Sequence, residues 1–127
     1  GGRSTFVAAV HTAPSAKAGL DAQLAYLSKY LSETGPVIVG GDFNATPLNP
    51  GLTGIYGPSV GGTGKFTELD QCHFGCSSRS GAATFDTAGR KIDYLFVSQK
   101  YFSNPSGFTT GTVMSDHRIY VGTAQTA

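Results

Sequence analysis

The sequence predicts an α+β domain, a mixed β-sheet with one flanking helix. Apolar runs of strand length outnumber helical segments along the chain. The one long segment with helical periodicity lies between the first two runs. A strand, helix, strand opening of this length fits a parallel pair inside a mixed sheet. Polar residues, finally, gather where the apolar runs end.

The elements follow in order. Phe6 to Val10 is a short apolar run that reads as a buried strand ending at His11. Pro14 and Ser15 make a turn. Apolar residues at 20, 24, 27 and 31 then carry helical spacing, with Asp21 early and Lys29 late, as the helix dipole prefers. Gly35-Pro36 stops that helix. Val37-Ile38-Val39 reads as a central strand running into Gly40-Gly41-Asp42. Residues 45–64, rich in Gly, Pro, Thr and Asn, form a long loop with room for a short helical turn. Residues 66–69 fit either a strand or a brief helix. Ala83-Thr84-Phe85 reads as a short strand and Ile92 to Val97 as a longer one. A loop containing Asn104-Pro105 follows, then strands from Phe108 to Val113 and from Ile119 to Thr123.

Composition bounds the function. The 127 residues suit one compact domain, which buries roughly two-thirds of its unfolded surface. No apolar stretch reaches the roughly 18 residues of a membrane span. The opening Gly1-Gly2-Arg3-Ser4 carries no signal-peptide pattern and resembles a cut point. A net charge of +1 does not announce a nucleic-acid binder, and Arg79, Arg90, Lys91 and Arg118 make a thin basic cluster. Cys72 and Cys76 admit three readings. A short-loop disulfide in an oxidising compartment is favoured; a zinc site would find only His73 nearby; two free thiols are the third.

Three polar clusters sit at ends of predicted strands, where side chains converge on one rim of a sheet. In Gly40-Gly41-Asp42-Phe43-Asn44 the glycines let the backbone turn sharply. Asp42 and Asn44 then offer hard oxygen chemistry suited to magnesium, manganese and phosphate esters. A plain Asp/Asn turn closing the strand is the competing reading. Asp93 lies inside an apolar strand, where a carboxylate is costly unless paired; an edge carboxylate reaching solvent is its alternative. Ser115-Asp116-His117 joins a carboxylate for metal to an imidazole for proton transfer, and Asp93 is the acid available to orient the ring. His11, at the end of the first strand, completes the set.

These residues resemble the endonuclease/exonuclease/phosphatase superfamily, and within it the DNase I branch most closely. The resemblance rests on His-Thr-Ala-Pro-Ser at 11–15, Val-Ile-Val-Gly-Gly-Asp-Phe-Asn-Ala at 37–45, Lys-Ile-Asp-Tyr-Leu-Phe-Val-Ser at 91–98 and Ser-Asp-His-Arg at 115–118. The four motifs stand in family order over residues 5–123. The resemblance implies a DNase I-like β-sandwich architecture in which residues 1–127 are the C-terminal half of the usual two-sheet domain. It implies metal-dependent phosphodiester hydrolysis with Mg²⁺, or Mn²⁺ or Ca²⁺, by a secreted, extracellular endonuclease acting on nucleic acid, DNA foremost. Asp42 and Asn44 would hold the scissile phosphate, and Asp42 would also position water or metal. Asp116 would be a metal ligand. His117, oriented by Asp93, would be the base or phosphate-polarising group, and His11 would protonate the leaving oxygen.

The family's first half supplies a metal-binding Glu that has no counterpart here. Glu33 reads as a solvated helix-end residue, Glu68 falls in a segment resembling a structural one, and Asp70 reads as a surface or turn residue. The N-terminal half, in cis or as an associated fragment, is therefore an expected partner. The chain alone is expected to expose an apolar sheet face and to hydrolyse poorly. A non-catalytic binding module is the alternative of another class. Sphingomyelinase, inositol-phosphate phosphatase and apurinic endonuclease are alternatives within the superfamily.

Overall fold

The computed structural model describes residues 4–12, 24–30, 35–85, 89–111 and 115–126. Strand β1 (Phe6–His11) is followed by helix α1, described over residues 24–30, and by β2 (Val37–Asp42). Two short 3-10 turns, Pro50–Leu52 and Pro58–Val60, occupy the long loop, and β3 (Phe66–Glu68) comes next. The strands β4 (Asp93–Ser98), β5 (Phe102–Thr109) and β6 (Tyr120–Thr126) complete the order.

Four strands form a mixed sheet in the order β1-β2-β4-β3. β1 pairs with β2 in parallel, as the strand, helix, strand opening predicts, while β4 runs antiparallel to both β2 and β3. One face carries the core. Val37, Val39, Tyr94 and Phe96 point into a cluster with Phe43, Tyr56, Leu52 and Ile55. Leu24 of α1 joins them, and Ser28 accepts a hydrogen bond from the Lys65 amide at 2.6 Å. The helical register anticipated for positions 24 and 27 is thus seen; positions 20 and 31, and the turn at Pro14, lie outside the described residues. On β1 the alternation is clear: Ala8 and Val10 pack on the core, whereas Val7 is 69% exposed on the opposite side.

β5 and β6 form a separate two-stranded antiparallel sheet. Gly122 lets this hairpin approach the main sheet, where Leu69 and Leu95 lie against its backbone.

Four sequence expectations need correction. Asn104-Pro105 is no loop between elements but lies within β5, as an irregularity where the register shifts between Ser103 and Ser106. Asn104 adopts a positive φ of 50° there and its side chain donates to Gln125 at 2.6 Å, so a turn-favouring pair is absorbed as a bulge. β5 accordingly starts at Phe102 and ends at Thr109, earlier than the run from Phe108 implied; Val113 lies outside the described residues. Among the described residues, 83–85 form no strand: Phe85 alone pairs, in isolated bridges with Arg90 and His117, while Thr84 gives its hydroxyl and carbonyl oxygens to the amides of Ile92, Asp93 and Arg118. Asp70 does lie in a turn, its carbonyl accepting from the His73 amide at 3.0 Å, but it is not a surface residue. It is buried (6% exposed), its carboxylate accepting from the Ala82 amide at 2.8 Å.

Candidate active site

Sheet register builds the site. His11 on β1 is paired with Asp42 on β2, and Asp42 with Asp93 on β4, so three polar residues occupy one rung at the sheet's rim. The close approach of β1 to β2 depends on Gly41, whose φ is 147° and whose missing Cβ would fall 1.8 Å from the Val10 carbonyl oxygen. Beyond the rung the chain turns at Asn44 (φ 49°), a conformation asparagine tolerates better than most residues. The Asn44 amide donates to Asp42 Oδ1 at 2.8 Å, and the Asn44 side-chain amide donates to the Thr12 carbonyl. Thr12 returns the tie through its hydroxyl, which donates to the Phe43 carbonyl at 2.5 Å.

His117 enters from the loop before β6. Its Nδ1 lies 2.8 Å from Asp93 Oδ2, and its Nε2 lies 3.8 Å from Asp42 Oδ2. His11 Nε2 approaches that same Asp42 oxygen at 3.8 Å. Two imidazoles thus flank one carboxylate. The Asp93 hydrogen bond raises the His117 pKa above the ordinary histidine value; partial burial opposes it, and the charges of Asp93, Asp42 and Asp116 add to the rise. Phe85 supports the ring from the side at 5.1 Å between centroids.

Asp42, Asp93 and His117 offer ligand atoms that all lie within 4.8 Å of one another. Carboxylate oxygens are hard donors, and Mg²⁺ is usually held by one or two of them with water and phosphate oxygens completing the shell. This donor set therefore fits a divalent cation. Asp116 is exposed beside His117 and outside that group of three. Of the residues singled out from sequence, the structure brings together His11, Asp42, Asn44, Asp93 and His117.

A family model, the Endonuclease/Exonuclease/phosphatase family, matches residues 5–117, which span this whole rim. The chain belongs to that family. Comparison with curated proteins finds no match. Endonuclease/exonuclease/phosphatase members are hydrolases and are generally dependent on divalent metal, in keeping with the acidic and histidine cluster seen here.

In this endonuclease/exonuclease/phosphatase chain buried residues behind the rim, none of them singled out for the site from sequence, hold the rung in place. Thr84 is fully buried, and its hydroxyl oxygen accepts from the amides of Ile92 and Asp93, both at 3.0 Å. Its carbonyl accepts from the Arg118 amide at 2.7 Å, so one side chain and its backbone fix both members of the His117–Asp93 pair. Glu68 is also fully buried. It accepts from the Leu95 amide at 2.9 Å, the Asp70 amide at 2.9 Å and the Tyr120 hydroxyl at 2.7 Å. Lys91 Nζ stands 3.5 Å from it and donates to the Asp93 carbonyl at 3.0 Å. Burial pushes the Glu68 carboxyl up and the Lys91 ammonium down, each opposed by the partner's charge. Lys91, counted from sequence with the basic residues, is thus spent inside the protein. The one signal available was its place beside an apolar strand, with an acid in the preceding strand.

Cys72 and Cys76 are joined by a disulfide, which removes both sulfurs from the zinc reading.

Proposed function

We propose that the chain is the C-terminal half of a DNase I-like sandwich domain, and that the complete domain is an extracellular, Mg²⁺-dependent endonuclease acting on DNA. The observation that carries this reading is the rung itself: His11, Asp42 and Asp93 in register, with His117 closing on Asp93 at 2.8 Å and on Asp42 at 3.8 Å. The exposed outer side of β1, with Val7 and Ala9, supports a second sheet as the missing cover. The disulfide supports an oxidising, secreted setting.

The residues divide the work as follows. Asp42, within the group it forms with Asp93 and His117, would hold the metal. Asp116, exposed beside His117 and outside that group, would join it from the solvent side. The metal would supply positive charge to offset what builds on the phosphoryl oxygens. Asn44 orients the phosphate from the turn that Asp42 caps. His117 shares a proton with Asp93 through Nδ1, which leaves Nε2 facing the rim to take a proton from the attacking water. His11, on the other flank of Asp42, delivers a proton to the leaving oxygen. Bond making and bond breaking are thus served from opposite sides of one carboxylate.

The test is plasmid nicking by the chain joined to its N-terminal half. Nicked circles should accumulate with Mg²⁺ and stop with EDTA, and His117→Ala should reduce the rate by on the order of 10²–10⁴-fold. Metal-independent nicking, or none, refutes the reading. Full activity of the 127 residues alone refutes the need for a second half.

A further inference from the structure

Beside the rim runs a groove of about 320 Å³, lined among others by Leu48, Phe74, Arg79, Gly81, Arg90 and Lys91. Its walls are unusual for a solvent channel. Phe74 is 74% exposed and Leu48 65% exposed, both among the most exposed large apolar side chains described. Phe74 is not on a loose loop: the Cys72–Cys76 bridge closes the turn beneath it, and His73 holds its ring edge-on at 4.4 Å while approaching Asp70 at 3.4 Å.

The two arginines are also placed. Arg79 lies over the Tyr56 ring at 5.6 Å and donates to the Asn49 carbonyl at 3.4 Å. Arg90 lies over the Phe85 ring at 5.5 Å, and that same ring touches His117 at 5.1 Å. Among the described residues neither guanidinium forms a salt bridge with a carboxylate. Phe85 thus links Arg90 on the groove wall to His117 at the site, and the groove combines positive charge that no described carboxylate neutralises with an exposed aromatic ring.

We propose that this groove is a subsite for one nucleotide flanking the scissile phosphate, its phosphate on Arg90 and Arg79 and its base stacked on Phe74. This rests on the phosphodiesterase reading above and adds what that reading lacks, a feature that recognises nucleic acid. Guanidinium forks match phosphate oxygens. Aromatic side chains accept any base whose face is free, so the subsite selects an unstacked or single-stranded nucleotide without reading its identity. The volume is at the lower end of the roughly 300–1,000 Å³ typical of small-ligand pockets, which suits one such unit. A lipid surface is the poorer occupant, because membrane insertion uses a continuous apolar face rather than a groove with cations between its apolar walls.

The experiment measures fluorescence anisotropy of the full chain in EDTA with a short labelled oligothymidylate and with an abasic oligomer of equal length. Phe74→Ala should weaken oligothymidylate binding about tenfold, the loss of one stacked base, and leave the abasic oligomer unaffected. Arg90→Ala should weaken both. Unchanged affinity of Phe74→Ala for oligothymidylate, or no binding by the parent chain, overturns the subsite. So does a Phe74→Ala defect seen only with vesicles of phosphatidylcholine and phosphatidylserine. Mg²⁺-dependent hydrolysis of bis(p-nitrophenyl) phosphate by the complete domain, which offers no base to stack, tests catalysis separately and should be insensitive to Phe74→Ala. A loss there equal to the loss on oligonucleotide overturns the subsite, while absent hydrolysis with intact oligonucleotide discrimination refutes only the catalytic reading.

Discussion

At the scale of single residues, the pair His117 and Asp93 is where charge and geometry meet. Asp93 raises the pKa of His117 in the folded chain above its unfolded value of about 6.5. The stabilisation is therefore fully present below that unfolded value and is lost as pH rises through the higher folded one. In metal-free buffer, an NMR titration of His117 should show a midpoint above the ordinary histidine range. Asp93→Asn should move it down and flatten the dependence of the thermal midpoint across the same interval. An unmoved titration would show that Asp93 does not govern the ring. Much of this pairing was legible in the sequence, because a carboxylate inside an apolar strand needs a partner and His117 was the one at hand. Thr84 was not legible: a threonine among small residues carries no sign that its hydroxyl will satisfy two amides behind the site.

At the scale of elements, the sheet was readable where the hydrophobic pattern was strong. β1, β2 and β4 follow their apolar runs closely, since a strand buried on its core face must show them. The hairpin was less readable, because β5 contains a proline and a positive-φ asparagine that locally signal a turn. Only tertiary pairing with β6 turns that signal into a bulge. Gly41 is the position where element geometry depends on a missing atom. Gly41→Ala should push β1 away from β2, separating His11 from Asp42. Circular dichroism should show a lowered melting temperature, with a fall of about 5–15 °C for a cost on the order of 2 kcal/mol. A variant melting with the parent would mean that the strands yield without strain.

At the scale of the whole molecule, the Glu68–Lys91 pair ties β3, β4 and β6 into one body through Leu95, Tyr120 and the Asp93 carbonyl. Removing one charge from such a pair leaves the other buried alone. Lys91→Met should cost about 3–5 kcal/mol in urea unfolding, against near-neutral change for an exposed lysine such as Lys100. A loss below about 1 kcal/mol would mean that water reaches Glu68 in the variant. Sequence reading placed both residues, one as structural and one as basic, but could not join them. Their meeting depends on the antiparallel register of β3 and β4, which no local pattern encodes.

The rung of His11, Asp42 and Asp93 draws on three strands far apart along the chain, and His117 arrives later still. Contacts of such long sequence separation close late, since loop entropy must be overcome before they are rewarded. During refolding, then, helix signal and core burial should recover before the rim is assembled. A chain emerging from synthesis would therefore carry an incomplete rim, Asp93 without its imidazole partner, until the segment bearing His117 has folded against it.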